Sequence, residues 1–187
     1  MMKDDTSQFP TIATLVGKEV YLRPMESDDL KTTYGWFLVS DPQIQTCHQV
    51  TLTTPEEMAA RNKKREQSSD RGDFIMAQKE DHKMVGKLSY FHLNMLNRSA
   101  ELGYIVAPGD RSRGYAKEGM WLLIRYLFKQ LNLNKVYAQT ASFNKASIAL
   151  LESLDFKLDG TLRQHHYYNG DLYDDLLYSL LRFESSF

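Results

Sequence analysis

The 187-residue chain has one cysteine, five prolines and ten glycines, and each shortage excludes something. A single thiol, Cys47, can build neither an intramolecular disulfide framework nor a multi-cysteine zinc site. That fits a reducing compartment, with the cytoplasm as the expected location. So few breakers, beside 42% hydrophobic and 12% aromatic residues, exclude a low-complexity chain and supply a core. Charge excess is also lacking: 23 Lys and Arg against 24 Asp and Glu leave a formal charge of -1. No overall basic field gathers nucleic acid or an anionic membrane, so any anion site must be local. Long apolar runs are missing too, because residues 119–133 carry Arg125, Lys129 and Gln130, and MMKDDTSQFP has no apolar segment after its first charges. Neither a membrane span nor a signal peptide is expected. The length suits one domain over residues 15–187, preceded by a polar, flexible tail over residues 1–14.

What is present alternates between the two regular periods. GKEVYLRPM reads as a strand, followed by a helix capped by Ser27 or Asp28 that runs through Leu30, Tyr34, Phe37 and Leu38 and stops near Asp41-Pro42. Thr54-Pro55-Glu56-Glu57 starts a second, very polar helix, exposed on most of its surface. DFIMAQKE, KMVGKLSYFHLN and NRSAELGYIV form an antiparallel meander. From Gly114, Ala116, Met120, Leu123, Ile124, Leu127, Phe128 and Leu131 share one face of a long helix. KVYAQT is a strand, NKASIALLESL a helix, and the last segment a hairpin around Asn169-Gly170. The expected architecture is α/β, a mixed and mostly antiparallel sheet with helices on both faces, in which the strand after the long helix lies parallel to the strand before it.

Between ELGYIV and the long helix stands APGDRSRGYAKEG. A strand entering a helix through such a loop leaves helix-terminal amides free, and these can hold a pyrophosphate with help from Arg111 and Arg113. Gly114 and Ala116 are small enough to let the backbone approach a phosphate. The spacing equally fits an ordinary turn with solvated arginines, and it is neither a Walker loop nor a dinucleotide fingerprint.

Here the sequence resembles the GNAT acetyltransferases, whose acetyl-CoA loop Gln/Arg-x-x-Gly-x-Gly/Ala stands as Arg111-Ser112-Arg113-Gly114-Tyr115-Ala116. GKEVYLRPMESDDL, NKASIALLESLDF and RQHHYYNGDLYDDLLYSLLRFE resemble the first strand, the Asn-x-x-Ser helix and the closing hairpin of the RimJ/RimL-like branch, which acetylates ribosomal-protein N-termini. The resemblance covers residues 15–184. It implies the GNAT fold, with splayed parallel strands at the acetyl-CoA site. It further implies that Ile105 and Val106 offer backbone groups to the pantetheine arm, that the amides of residues 111–116 hold the pyrophosphate, and that Asn144 contacts the cofactor arm. Ser147 lies one helical turn later on the same face. By themselves Asn144 reads as an N-cap and Ser147 as a surface hydroxyl.

Acetyl transfer to an amine needs a base, an oxyanion donor and a proton for the thiolate. Glu101 shares a strand face with Gly103 and Ile105 and corresponds to a glutamate base in several GNAT enzymes; the alternative is an exposed strand-end Glu paired with Lys or Arg. The tyrosine that protonates the thiolate in many relatives is replaced by Leu151, so that Ser147, a hairpin residue such as Tyr173, or solvent must serve. Asp155 replaces a glycine usual in the family. Tyr90 and His92 are expected on one strand face toward the acceptor cleft. Tyr173 and Asp175, in an aromatic and acidic hairpin, are expected to attract a cationic amine, or to be ordinary cross-strand pairs. His165-His166 point to opposite faces, so metal binding is not expected, and Cys47 lies outside every motif, so neither is an acyl-cysteine. The reading is an acetyl-CoA-dependent N-acetyltransferase working by direct attack on a protein N-terminus, amino sugar, polyamine or small-molecule amine, with no nucleic acid or membrane partner and a homodimer conceivable through the hairpin. A low-pKa amine is slightly favoured. The rivals are a non-catalytic CoA sensor and a transferase of longer acyl groups.

Overall fold

The computed structural model describes residues 15–40, 46–47 and 53–185. The expected tail and the expected helix stop at Asp41-Pro42 lie outside the described residues. The elements are β1 (Leu15–Val16), β2 (Val20–Pro24), α1 (Asp29–Val39), α2 (Pro55–Glu66), β3 (Gly72–Gln78), β4 (Met84–Asn94), β5 (Ser99–Val106), a 3-10 turn at Pro108–Asp110, α3 (Tyr115–Lys129), β6 (Lys135–Ala141), α4 (Lys145–Glu152), β7 (Lys157–Tyr168), β8 (Asp171–Leu181) and a 3-10 turn at Arg182–Glu184.

The eight strands form one sheet in the order β1-β2-β3-β4-β5-β6-β8-β7. Every pairing is antiparallel except β5 with β6, as the connection through the long helix requires. That parallel pairing is short: it runs from Ser99 opposite Lys135 to Glu101 opposite Tyr137 and then ends. Beyond it β5 continues along β4 as far as Val106 opposite Gly86, while β6 follows β8 to Ala141 opposite Asp175. The two strands therefore part at Glu101, leaving backbone groups that no neighbouring strand uses.

The apolar stripe of α3 is buried on one face of the sheet, with Met120, Leu123, Ile124, Leu127 and Phe128 essentially inaccessible. Each such side chain contributes roughly 1.5–3 kcal/mol of burial. Gly119 permits the close approach, because a Cβ there would stand 2.5 Å from Met76 Sδ. Leu131 packs against the core from just past the helix end. On the opposite face α1 and α2 cover β4 and β5, so the helices occupy both faces.

The helix starts show local rules working and yielding. Thr54 and Glu57 form a complete capping box before Pro55. At α1, Asp28 holds the cap position but its side chain makes no capping bond. The buried Asp29 carboxylate instead accepts the Glu26 N–H at 2.8 Å and both arms of the Arg23 guanidinium at 2.6 and 2.7 Å. A charged fork from β2 outcompetes the local cap. Asp155 has φ +64°, the left-handed geometry in which a glycine is the usual residue. Asn169 and Gly170, at φ +51° and +98°, make the hairpin turn.

Candidate active site

All the residues expected to bind the cofactor line one cleft of about 500 Å³: Ile105 and Val106 on the free stretch of β5, the loop residues Arg111, Ser112, Arg113, Gly114, Tyr115 and Ala116, and Asn144 and Ser147 on α4. Its floor is the gap where β5 leaves β6. Its far end is the start of α3, whose first-turn amides have no helical acceptor. Ser112 and Gly114 have φ of +62° and +82°, the curved backbone that makes anion-binding concavities. A Cβ at Gly114 would enter open space, with no protein atom within 4 Å, so nothing in the protein blocks the approach to the loop there.

The loop's arginine side chains behave less simply than its amides. Arg111 donates to Ser40 Oγ at 2.6 Å, tying the loop to the end of α1. Arg113 lies 3.9 Å from Asp110, whose buried carboxylate also accepts Lys83 Nζ at 2.9 Å. A pyrophosphate held here would meet backbone amides, with Arg113 as the exposed cation beside them. The residues fit acetyl-CoA: amides for the phosphates and an unpaired strand edge for the pantetheine amides.

Asn144 is the N-cap of α4 and accepts the Ser147 N–H at 3.2 Å. Ser147 Oγ accepts a hydrogen bond from the Tyr104 hydroxyl at 2.7 Å. Burial pushes the Tyr104 phenol above its ordinary value, the Ser147 bond opposing this, and it stays a donor at neutral pH. Sequence reasoning missed Tyr104 because strand alternation places it across the sheet from Glu101. Only the splay of β5 from β6 opens that side toward α4. Leu151 is fully buried in the core and offers no proton, whereas Tyr104 and Ser147 pair their hydroxyls.

A second cleft, of about 860 Å³, lies under α1 and α2 and shares Thr46, Cys47, Leu102, Gly103, Tyr104, Ile105 and Gln139 with the first. Glu101 lines it, only 8% exposed. Its carboxylate meets His92 Nδ1 at 3.0 Å, so it is a buried group paired with a half-exposed imidazole and not a strand-end Glu paired with Lys or Arg. His92 reaches this face through a β-bulge, at φ +53° where the β4–β5 register breaks after Phe91. The bulge separates it from Tyr90, expected on the same face. Tyr90 turns to the other side of the sheet, with its ring against Phe74 and over Gly72, and lines neither cleft.

The hairpin residues also differ from expectation. Tyr173 packs edge-on against Phe143 with ring centres 4.8 Å apart and lines neither cleft. Asp175 is completely buried and accepts Gln139 Nε2 at 2.7 Å, besides pairing with His166 Nδ1 at 3.2 Å. It attracts no acceptor directly; it fixes Gln139, which lines both clefts. His166 turns inward because the β7–β8 register shifts between Leu162 and His166. Cys47 completes the group, its donor atom within 4.8 Å of those of His166 and Asp175. Burial first, then the Asp175 charge and hydrogen bond, drive its thiol far above the ordinary value, the opposite of an activated nucleophile.

The sheet that parts at a buried glutamate and the amide-lined loop at the start of α3 define an acyl-CoA-dependent transferase fold. The chain matches the family described as Acetyltransferase (GNAT) domain over residues 19–157, and it belongs to that family of N-acetyltransferases. It is 30% identical over 177 residues to an uncharacterized N-acetyltransferase, p20, of Bacillus licheniformis, covering 91% of this chain and 97% of that protein. It is 31% identical over 91 residues to the spermidine N(1)-acetyltransferase of Vibrio cholerae, covering 49% of this chain and 53% of the relative. The crystal structure of spermidine N-acetyltransferase from Vibrio cholerae in complex with CoA and spermine has the same fold, with a TM-score of 0.83, 22% identity, and coverage of 90% of this chain and 98% of that one. Among the described residues no helix is long and apolar enough to cross a membrane.

Proposed function

We propose that the protein transfers the acetyl group of acetyl-CoA to a primary amine by direct attack of the amine on the thioester, with both substrates bound together. The observation that carries this reading is the parting of β5 and β6 at Glu101, with a cofactor-sized cleft on one side and a second cleft on the other, joined by residues 102–105. Glu101 accepts the proton lost by the attacking amine and His92 passes it toward solvent. The free amides of β5 stabilise the developing oxyanion. Ser147 passes its proton to the departing thiolate and takes one in the same step from Tyr104, which donates to its oxygen, and solvent reprotonates the phenol. Gln139, held by Asp175, borders both substrates.

The motifs of the first strand, the Asn-x-x-Ser helix and the hairpin support the RimJ/RimL-like branch, and the single cysteine supports a cytoplasmic location. Exposed Tyr167 and Leu172 beside the edge strand β7 support pairing of two copies there. The test is calorimetric titration with acetyl-CoA, followed by release of the CoA thiol in the presence of amines. Glu101→Gln is expected to lower kcat by about 10²- to 10³-fold while acetyl-CoA affinity stays within about twofold. Folded protein that binds no acetyl-CoA sinks the reading.

A further inference from the structure

The acceptor cleft has a charge that the acetyl-transfer reading alone does not explain. Its lining carries Arg61, Lys64, Arg65, Arg71 and Lys87, against the carboxylates of Asp70 and Glu101. Two of the cations are neutralised on the spot: Arg71 forks onto Asp73 at 3.0 and 3.1 Å, and Lys87 Nζ meets the same carboxylate at 2.9 Å. The two acids are also engaged, Asp70 by the Ser68 hydroxyl and Glu101 by His92. Arg61, Lys64 and Arg65 remain, with no acidic partner within 4 Å among the described residues. They stand on the last two turns of α2, on the helix side turned to the cleft.

All three stand on the exposed part of α2, and Arg65 is the one whose charge its surroundings disfavour. Burial, and then the like charge of Arg71, push the Arg65 guanidinium below its ordinary value; Asp73 opposes this and Arg61 adds a smaller push of its own. Cations packed together at the cost of mutual repulsion are characteristic of a site completed by an anion. A polyamine would bring several positive charges into this wall, an unfavourable juxtaposition.

We infer that the acceptor is a small amine bearing a carboxylate or phosphate, its anionic group seated on Arg61 and Arg65 while its amine reaches Glu101. The inference rests on the acetyl-transfer reading and names the substrate class for it. Neither arginine lines the acetyl-CoA cleft, so the acceptor side is testable separately.

The experiment measures kcat/KM by CoA thiol release with glucosamine 6-phosphate and glucosamine, alanine and alaninamide, and spermidine. At least one anionic amine is expected to be used about tenfold or more better than its neutral twin and than spermidine, a factor corresponding to about 1.4 kcal/mol. The phosphate and carboxylate pairs tell which oxyanion the site takes. Arg61→Gln with Arg65→Gln, both on an exposed helix, should erase that advantage mainly through KM, leaving the neutral twin and the calorimetric affinity for acetyl-CoA little changed. Preference for spermidine or a neutral twin, no use of any anionic amine by protein that binds acetyl-CoA, or an anionic preference that survives the double substitution overturns the inference. Wild-type protein that fails to bind acetyl-CoA removes the transfer reading and this one with it.

Discussion

The two clefts are built from different materials. The cleft proposed for the cofactor is mostly backbone: a strand edge without a partner, a curved loop, and the amide end of a helix whose other face is sunk in the core. The cleft proposed for the acceptor is mostly side chains, brought by α1, α2, β4, β5 and β6 and partly held by charge pairs. A backbone site recognises what is constant, a pyrophosphate and an amide chain, and tolerates sequence change as long as the loop keeps its curvature. A side-chain site recognises what differs between enzymes of one fold and can be rewritten one residue at a time.

The most severe way to break the cofactor side is to fill its cradle. Gly114→Glu puts a side chain into the space over the loop and a carboxylate where phosphates would sit, at φ +82° where L residues are strained. Acetyl-CoA affinity should fall more than about 100-fold by calorimetry, since repulsion replaces charge-assisted bonds. Stability should fall by only about 1–2 kcal/mol, the cost of a left-handed non-glycine, so circular dichroism still shows a folded protein. Affinity within about threefold of wild type, threefold being about 0.65 kcal/mol, would show that the phosphates bind elsewhere.

On the acceptor side, the corresponding lever is the ion pair that sets α1 over the sheet. Burial alone would raise the Asp29 carboxyl, but the Arg23 fork and the Glu26 N–H outweigh it and hold it below its ordinary value. A carboxylate lowered in the folded state stabilises above its unfolded value, about 3.9, and that stability is lost as pH falls through it toward the lower folded value. Asp29→Asn should therefore cost about 2 kcal/mol at pH 7 in denaturant unfolding. The gap to wild type should narrow below about pH 4. A gap that is unchanged at pH 3 would mean that Asp29 acts through packing and not through its charge.

The same contrast explains what could be read from the sequence. The long helix, the meander and the Asn169-Gly170 hairpin announce themselves by period and turn residues, and the loop at 111–116 lies between two such elements, so its place followed. The acceptor side depends on irregularities that no period reveals. The bulge at His92 separates it from Tyr90, the register shift before His166 turns that ring inward, and the burial of Asp175 makes a supposed surface acid into a support for Gln139. The charges of α2 were legible as an exposed polar helix, but that one side of it faces a cleft required the tertiary fold. Asp29 displaced the expected cap because its partner, Arg23, comes from the preceding strand.

Tyr104 stands between the two regions, since it lines both clefts and donates to Ser147. If Ser147 hands its proton to the thiolate, the tyrosine replaces that proton and does not touch the reacting atoms. Tyr104→Phe keeps the ring and removes only the donor, so kcat should fall by about three- to tenfold, in keeping with one hydrogen bond worth about 1 kcal/mol. Ser147→Ala should lower kcat by about tenfold, the double variant being no worse than Ser147→Ala alone, because the two hydroxyls act as one unit. Thiols are good leaving groups, which keeps the effect below that of losing the base. The separating measurement is to replace acetyl-CoA by a donor whose leaving thiol is more acidic. The loss in Tyr104→Phe should shrink with such a donor if the hydroxyl pair serves the thiolate, and should stay the same if Tyr104 only packs against α4.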